Sequence, residues 1–161
     1  MQTLLPIAEE IGAILKAKRL TIGVSESSSG GLVSAALLAV PGASSYYRGG
    51  GVIYAPAAFR GLLGLSKDDL GDMRSSSEPY ARFLARTIRE KLRADLGLCE
   101  TGAAGPSGNG YGDAAGHTCV ALNGDGIDVS RTLETGLSDR AHNMELFAYE
   151  ALSLLKEQLT G

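Results

Sequence analysis

The stretch Gly23-Val24-Ser25-Glu26-Ser27-Ser28-Ser29-Gly30-Gly31 joins one apolar run, Leu20 to Val24, to another, Leu32 to Val40, through a cluster of hydroxyl side chains. The first run has the length of a short buried strand and the second reads as a buried helix. The serines and glycines between them fall where a strand ends and a helix begins, with backbone N–H groups left over. Such a turn can hold an anion, or the oxyanion of an acyl transfer. One serine is enough to cap a helix, and this turn carries more than a cap requires. No Lys follows the glycines at Walker-loop spacing. Gly23-x-Ser25-x-Ser27 also lacks the second glycine of a nucleophile elbow.

Three further polar segments have the same small, hydroxyl-rich or glycine-rich character: residues 42–51, 101–113 and 136–140. With residues 25–31 they make four loops that a sheet could gather into one pocket at its edge. The elements between them set the frame. Leu4, Leu5, Ile7, Ala8, Ile11, Ile14 and Leu15 recur at helical spacing, so an amphipathic helix precedes the first strand. Pro41-Gly42 stops the second helix, a strand is expected at Val52 to Tyr54, and a short helix at about Ala57 to Leu63. Ser77-Glu78-Pro79 opens a long helix toward Asp95. Strands follow at Leu96 to Glu100, His117 to Leu122 and Ile127 to Thr135, the last two joined at Asn123-Gly124-Asp125-Gly126 as a hairpin. Ser138 is the expected cap of a final helix. Interleaved helices and strands with one antiparallel hairpin imply a single three-layer α/β/α domain over residues 1–161, with a mixed, partly parallel sheet.

Composition narrows the class of partner. The chain has 161 residues, 44% of them hydrophobic, and a formal charge of -3, which argues against a nucleic-acid or membrane surface. Arg82, Arg86, Arg89 and Arg93 are interleaved with Glu78 and Glu90, as on a solvated helix face. No segment reads as a signal peptide or a membrane span, so a cytoplasmic protein is expected. Cys99 and Cys119 lie in apolar runs and read as buried thiols. His117 and His142 are not spaced to assemble a zinc site with them, and neither a metal nor another cofactor is expected.

Five segments in order, Ser25-Glu26-Ser27-Ser28-Ser29-Gly30-Gly31, Val40-Pro41-Gly42-Ala43-Ser44, Gly50-Gly51-Val52-Ile53-Tyr54, Thr101-Gly102-Ala103-Ala104-Gly105-Pro106 and Asp139-Arg140, resemble the competence/damage-inducible protein family, specifically its CinA C-terminal domain. The resemblance covers nearly the whole chain. It implies hydrolysis of the amide of nicotinamide mononucleotide to nicotinic acid mononucleotide and ammonia, by a metal-free serine, tyrosine and lysine arrangement. Carried over by position, it implies Ser44 as nucleophile, Ser27 as its hydrogen-bond partner and Tyr54 as proton relay. N–H groups after Ser27 would hold the oxyanion, and Arg140 the phosphate. Glu26, Ser28, Ser29, Gly30, Gly31, Gly50, Thr101, Gly102 and Gly105 complete the implied substrate-binding set. A homo-oligomer, with a dimer favoured, is the implied assembly, and the apolar N-terminal helix would serve either a dimer interface or the monomer core.

The family lysine has no counterpart. Read against the family's Y-S-N-x-x-K, the segment Tyr54-Ala55-Pro56-Ala57-Ala58-Phe59 puts Phe59 where the lysine stands, and the family's Cys-Thr is replaced by Ser28-Ser29. A lysine can act as a base when desolvation lowers its pKa, and phenylalanine cannot. Arg60 is no substitute base, because a guanidinium stays protonated. Two alternatives to an active amidase follow. One is a noncatalytic protein that binds a pyridine nucleotide; the other is a hydrolase of a different amide or ester with a base from elsewhere, His142 before His117.

Overall fold

In the computed structural model, which describes residues 1–161, five segments pair as strands: β1 (Ile22–Glu26), β2 (Tyr47–Val52), β3 (Leu96–Ala103), β4 (His117–Gly124) and β5 (Ile127–Glu134). They form one sheet in the order β2-β1-β3-β4-β5. β1, β2 and β3 run parallel to one another, and β4 alone runs against them, pairing antiparallel with β3 on one side and β5 on the other. Helices α1 (Leu5–Lys18), α2 (Leu32–Leu38) and α6 (Arg140–Thr160) cover one face, where Val24, Leu98, Val120 and Leu122 point into the larger core. Helices α3 (Pro56–Leu63), α4 (Lys67–Leu70) and α5 (Glu78–Lys91) belong to the other side, where α3 and α5 enclose a smaller core with Cys99, Cys119 and Ala121. The fold is thus the expected three-layer α/β arrangement with a mixed sheet.

Local chemistry explains most element ends. Arg19 adopts a left-handed conformation and Leu20 N–H donates to the Leu15 carbonyl, so α1 closes in a Schellman-like turn. That turn takes Leu20 out of β1, which starts at Ile22 and runs on through Ser25 and Glu26 instead of ending at Val24. Ser77 caps α5 as expected, while α6 is capped by Asp139, not Ser138. Between β4 and β5, Gly124 pairs with Ile127 and leaves Asp125-Gly126 as a two-residue turn, with Gly126 at φ 69.

The largest departure is β2. Its expected position, Val52 to Tyr54, is preceded by three glycines that read as a flexible connection, yet Gly49, Gly50 and Gly51 pair with β1 as an edge strand. Close approach requires the glycine at position 50, where a Cβ would lie 2.7 Å from the Val24 carbonyl oxygen. The α1 face carrying Leu4, Ile7, Ala8, Ile11 and Leu15 is buried within this chain, against α2 and α6, so it completes the monomer core.

Candidate functional site

Topology decides which loops meet. The carboxyl ends of β1, β2 and β3 emerge at one sheet edge, because the three strands are parallel. β5 runs in the same direction as β3, since each is antiparallel to β4, so its carboxyl end and the start of α6 reach that edge too. Three adjoining cavities lie there. The inner one, of about 190 Å³, is lined by Ser28, Tyr54, Gly102, Gly105, Asn109 and Arg140 among others. A central one, of about 220 Å³, is bounded by Ser27, Tyr54, Ser76, Thr101, Asn109 and Tyr111. The outer one, also about 220 Å³, has Phe59 and Tyr80 on its apolar wall. Tyr54 borders all three, so they form one groove.

The serine turn is held from beneath by two buried carboxylates. Glu26 and Glu100 are each 1% exposed, the first closing β1 and the second lying within the neighbouring β3. Glu26 accepts from the backbone N–H groups of Gly31, Val33 and Ser34 at 3.1, 2.9 and 2.9 Å, which places a carboxylate at the amino end of α2. Glu100 accepts from Ser27 N–H at 3.1 Å, Ser29 N–H at 2.8 Å, Ser28 Oγ at 2.6 Å and Thr118 Oγ1 at 3.0 Å. Ser29 Oγ lies 2.7 Å from an oxygen of each carboxylate and locks them together. The donors of this turn are therefore mostly consumed by the protein itself. Ser28 N–H is the one in residues 27–31 without a protein acceptor.

Arg140 closes the inner end. Its Nη1 donates to the Gly105 carbonyl at 2.5 Å and its Nη2 to Tyr54 Oη at 3.1 Å. Tyr54 is 62% exposed and acts as acceptor there, so its own proton is free to be offered to the groove. The opposite wall is fixed by ion pairing. Arg74 grips Asp113 through two contacts, 2.8 and 3.1 Å, which ties the segment before α5 to the long β3–β4 loop. His117 Nδ1 lies 2.5 Å from a Glu134 carboxylate oxygen and its Nε2 lies 2.7 Å from the Ser76 carbonyl. Burial disfavours charge on this imidazole, but Glu134, the Ser76 carbonyl and Asp113 outweigh burial and raise its pKa. Burial pushes the Tyr80 hydroxyl up to about 12. Cys99 and Cys119 are free and buried, and burial raises both thiols, as in unreactive core cysteines.

The profile of the CinA C-terminal domain matches residues 4–159. The chain belongs to the CinA C-terminal domain family. A CinA-like protein of Amoebophilus asiaticus is 36% identical over 155 residues, covering 96% of this chain and 37% of that protein. A CinA-like protein of Gloeobacter violaceus is 39% identical over 154 residues, covering 95% of the chain and 36% of its own length. The chain thus spans little more than a third of these curated relatives. Among solved structures, a competence or damage-inducible protein from Enterobacter asburiae superposes with a TM-score of 0.89 at 28% identity, covering 97% of this chain and 98% of that one.

Within this CinA domain the groove gathers Ser27, Ser28, Tyr54, Thr101, Gly102, Gly105 and Arg140 at one edge. Ser44 is elsewhere. It is exposed in a short 3-10 turn just before β2, and β2 begins where β1 begins, with Tyr47 opposite Ile22. Ser44 therefore sits at the amino ends of the strands, and β1 alone puts roughly 16 Å between that edge and Ser27. The pairing of Ser44 with Ser27 is corrected accordingly, and loop 42–51 does not join the other three. Glu26 and Ser29 are buried in the carboxylate network, so neither faces a ligand. Gly30 and Gly31 shape the turn with φ values of 66 and 96 and line none of the three cavities; Gly50 belongs to the β2 edge. His142 is exposed on α6 and borders none of the three.

Sequence reasoning missed Glu100, Asn109 and the wall built by Ser75, Ser76 and Tyr111. Glu100 had one available signal, since a carboxylate closing an apolar strand run is costly to bury unless it anchors something. The wall had none, because it depends on the Arg74–Asp113 pair across 39 positions of sequence.

Proposed function

We propose that this groove binds nicotinamide mononucleotide and hydrolyses its carboxamide, with Ser27 as the nucleophile. What carries the reading is that Ser27 and Tyr54 line one cavity that continues to Arg140 and the glycine-rich β3–β4 loop. Arg140 and that loop take the phosphate, and the pyridine ring extends toward Thr101 and Tyr111. Ser27 Oγ bonds to the carboxamide carbon, and the carbonyl oxygen takes up charge beside the Ser28 N–H. The C–N bond breaks as the nitrogen takes the Tyr54 proton, and the proton of Ser27 restores the phenol. Water then splits the acyl-serine, so amide and water leave as carboxylate and ammonium.

Phe59 supports a second reading, binding with weak or no turnover. It is 8% exposed and stacks on Tyr80 with ring centroids 6.3 Å apart, so this position offers an apolar wall and no amine. Ammonia release from nicotinamide mononucleotide separates the two. The amidase reading expects release that falls at least about 100-fold in Ser27→Ala and is unchanged in Ser44→Ala. Loss of release in Ser44→Ala with retention in Ser27→Ala overturns it. No release from the parent chain, with a nucleotide-induced rise in melting temperature that Arg140→Ala removes, selects the binding reading.

A further inference from the structure

Three aromatic rings border the central cavity, those of Tyr54, Tyr80 and Tyr111. Tyr80 is buried in the smaller core, and the Tyr54 hydroxyl is engaged by Arg140 at the inner end. Tyr111 is 55% exposed and offers the open ring. Its place in the β3–β4 loop is fixed from both sides. Asn109 Oδ1 accepts from Tyr111 N–H at 3.0 Å and from Asp113 N–H at 3.2 Å, and Asn109 Nδ2 donates to Asp113 at 2.8 Å. Asp113 in turn holds Arg74, whose guanidinium lies over the Tyr111 ring with Cζ 5.2 Å from the centroid. Arg74 borders the outer cavity and not the central one, whereas Tyr111 borders both. The guanidinium therefore covers the outer face of the ring, and the other face is turned to the central cavity.

That face carries the negative side of the ring quadrupole, and the charge of Arg74 behind it is already met by Asp113. No acidic side chain borders the central cavity, so a cationic ring placed there has aromatic faces as its only electron-rich partners apart from neutral oxygens. We propose that Tyr111 is the platform on which the substrate ring stacks, and that it makes the site selective for a planar cationic heteroaromatic ring over an uncharged ring carrying the same ribose phosphate. The assignment rests on the mononucleotide reading above and supplies the group that recognises the ring.

Isothermal titration of the full chain carrying Ser27→Ala, which removes the proposed nucleophile, tests it with three probes: nicotinamide mononucleotide, its uncharged dihydropyridine form, and ribose 5-phosphate, which has no ring. Nicotinamide mononucleotide should bind at least about tenfold more tightly than the dihydropyridine form. Adding Tyr111→Leu should bring the two within about twofold of each other and leave ribose 5-phosphate unchanged, while Tyr111→Phe, which keeps the ring face, should retain the preference. Equal affinities for the two forms before Tyr111 is replaced, a preference that survives Tyr111→Leu or is lost in Tyr111→Phe, or an equal weakening of ribose 5-phosphate overturns the assignment and leaves the mononucleotide reading standing. If neither nicotinamide mononucleotide nor ribose 5-phosphate binds, the mononucleotide reading itself falls, and the role of Tyr111 falls with it.

Discussion

Replacing Glu100 separates its role as an acceptor from its role as a charge. In Glu100→Ala the backbone N–H groups of Ser27 and Ser29 lose their acceptor, and neither can turn elsewhere. The hydroxyls lose less. Ser29 Oγ still reaches Glu26, Thr118 Oγ1 still reaches the Thr101 carbonyl at 3.2 Å, and Ser28 borders the inner cavity. Two orphaned N–H groups at roughly 1–3 kcal/mol each, with the space left by the deleted side chain, make a loss of about 4 kcal/mol. Glu100→Gln differs in kind. Its amide oxygen can face the two N–H groups while its NH2 faces Ser28 and Thr118, whose hydroxyls rotate to accept. Only charge assistance is lost, about 1–2 kcal/mol. Urea unfolding followed by circular dichroism, read at constant slope, gives both values. The reasoning fails if alanine costs under about 1 kcal/mol, or if glutamine costs as much as alanine.

Three other outcomes follow from packing and charge. In Gly97→Ala the new Cβ would lie 1.9 Å from the Ala85 carbonyl oxygen, so α5 must lift from the sheet at a cost of about 3 kcal/mol or more, visible as a lowered melting temperature. Gly61→Ala, inside α3 with nothing within 4 Å of the added atom, should instead stabilise by about 0.5–1 kcal/mol in the same assay. The raised pKa of His117 makes its contribution to stability complete below its ordinary value of 6.5 and lost as pH rises through the higher folded-state value; denaturation midpoints measured across that range should fall with pH, and His117→Gln should flatten the fall.

Much of the frame was legible from side-chain pattern. The spacing of Leu4, Ile7, Ala8, Ile11 and Leu15 foretold a helix with one buried face, and those five are buried. Asn123-Gly124-Asp125-Gly126 foretold the hairpin, although Asn123 and Gly124 extend β4 and only Asp125-Gly126 forms the turn, with Gly126 at positive φ. β2 was not legible, since its glycines carry no apolar signal and become a strand through backbone pairing with β1. The same miss misplaced Ser44. With residues 42–51 read as a loop, nothing in the chain order said which end of the sheet Ser44 would occupy. The order of motifs carried the family but not the geometry of the site.

By itself, then, the sequence determined the helix faces, the hairpin and the serine turn between β1 and α2, because each depends on residues within a few positions of one another. Tertiary structure alone decided that Glu100 anchors that turn, that Arg140 meets Tyr54 and that Arg74 meets Asp113. Those contacts join residues 39 to 86 positions apart, and strand direction and pairing order, which no local pattern encodes, bring them together.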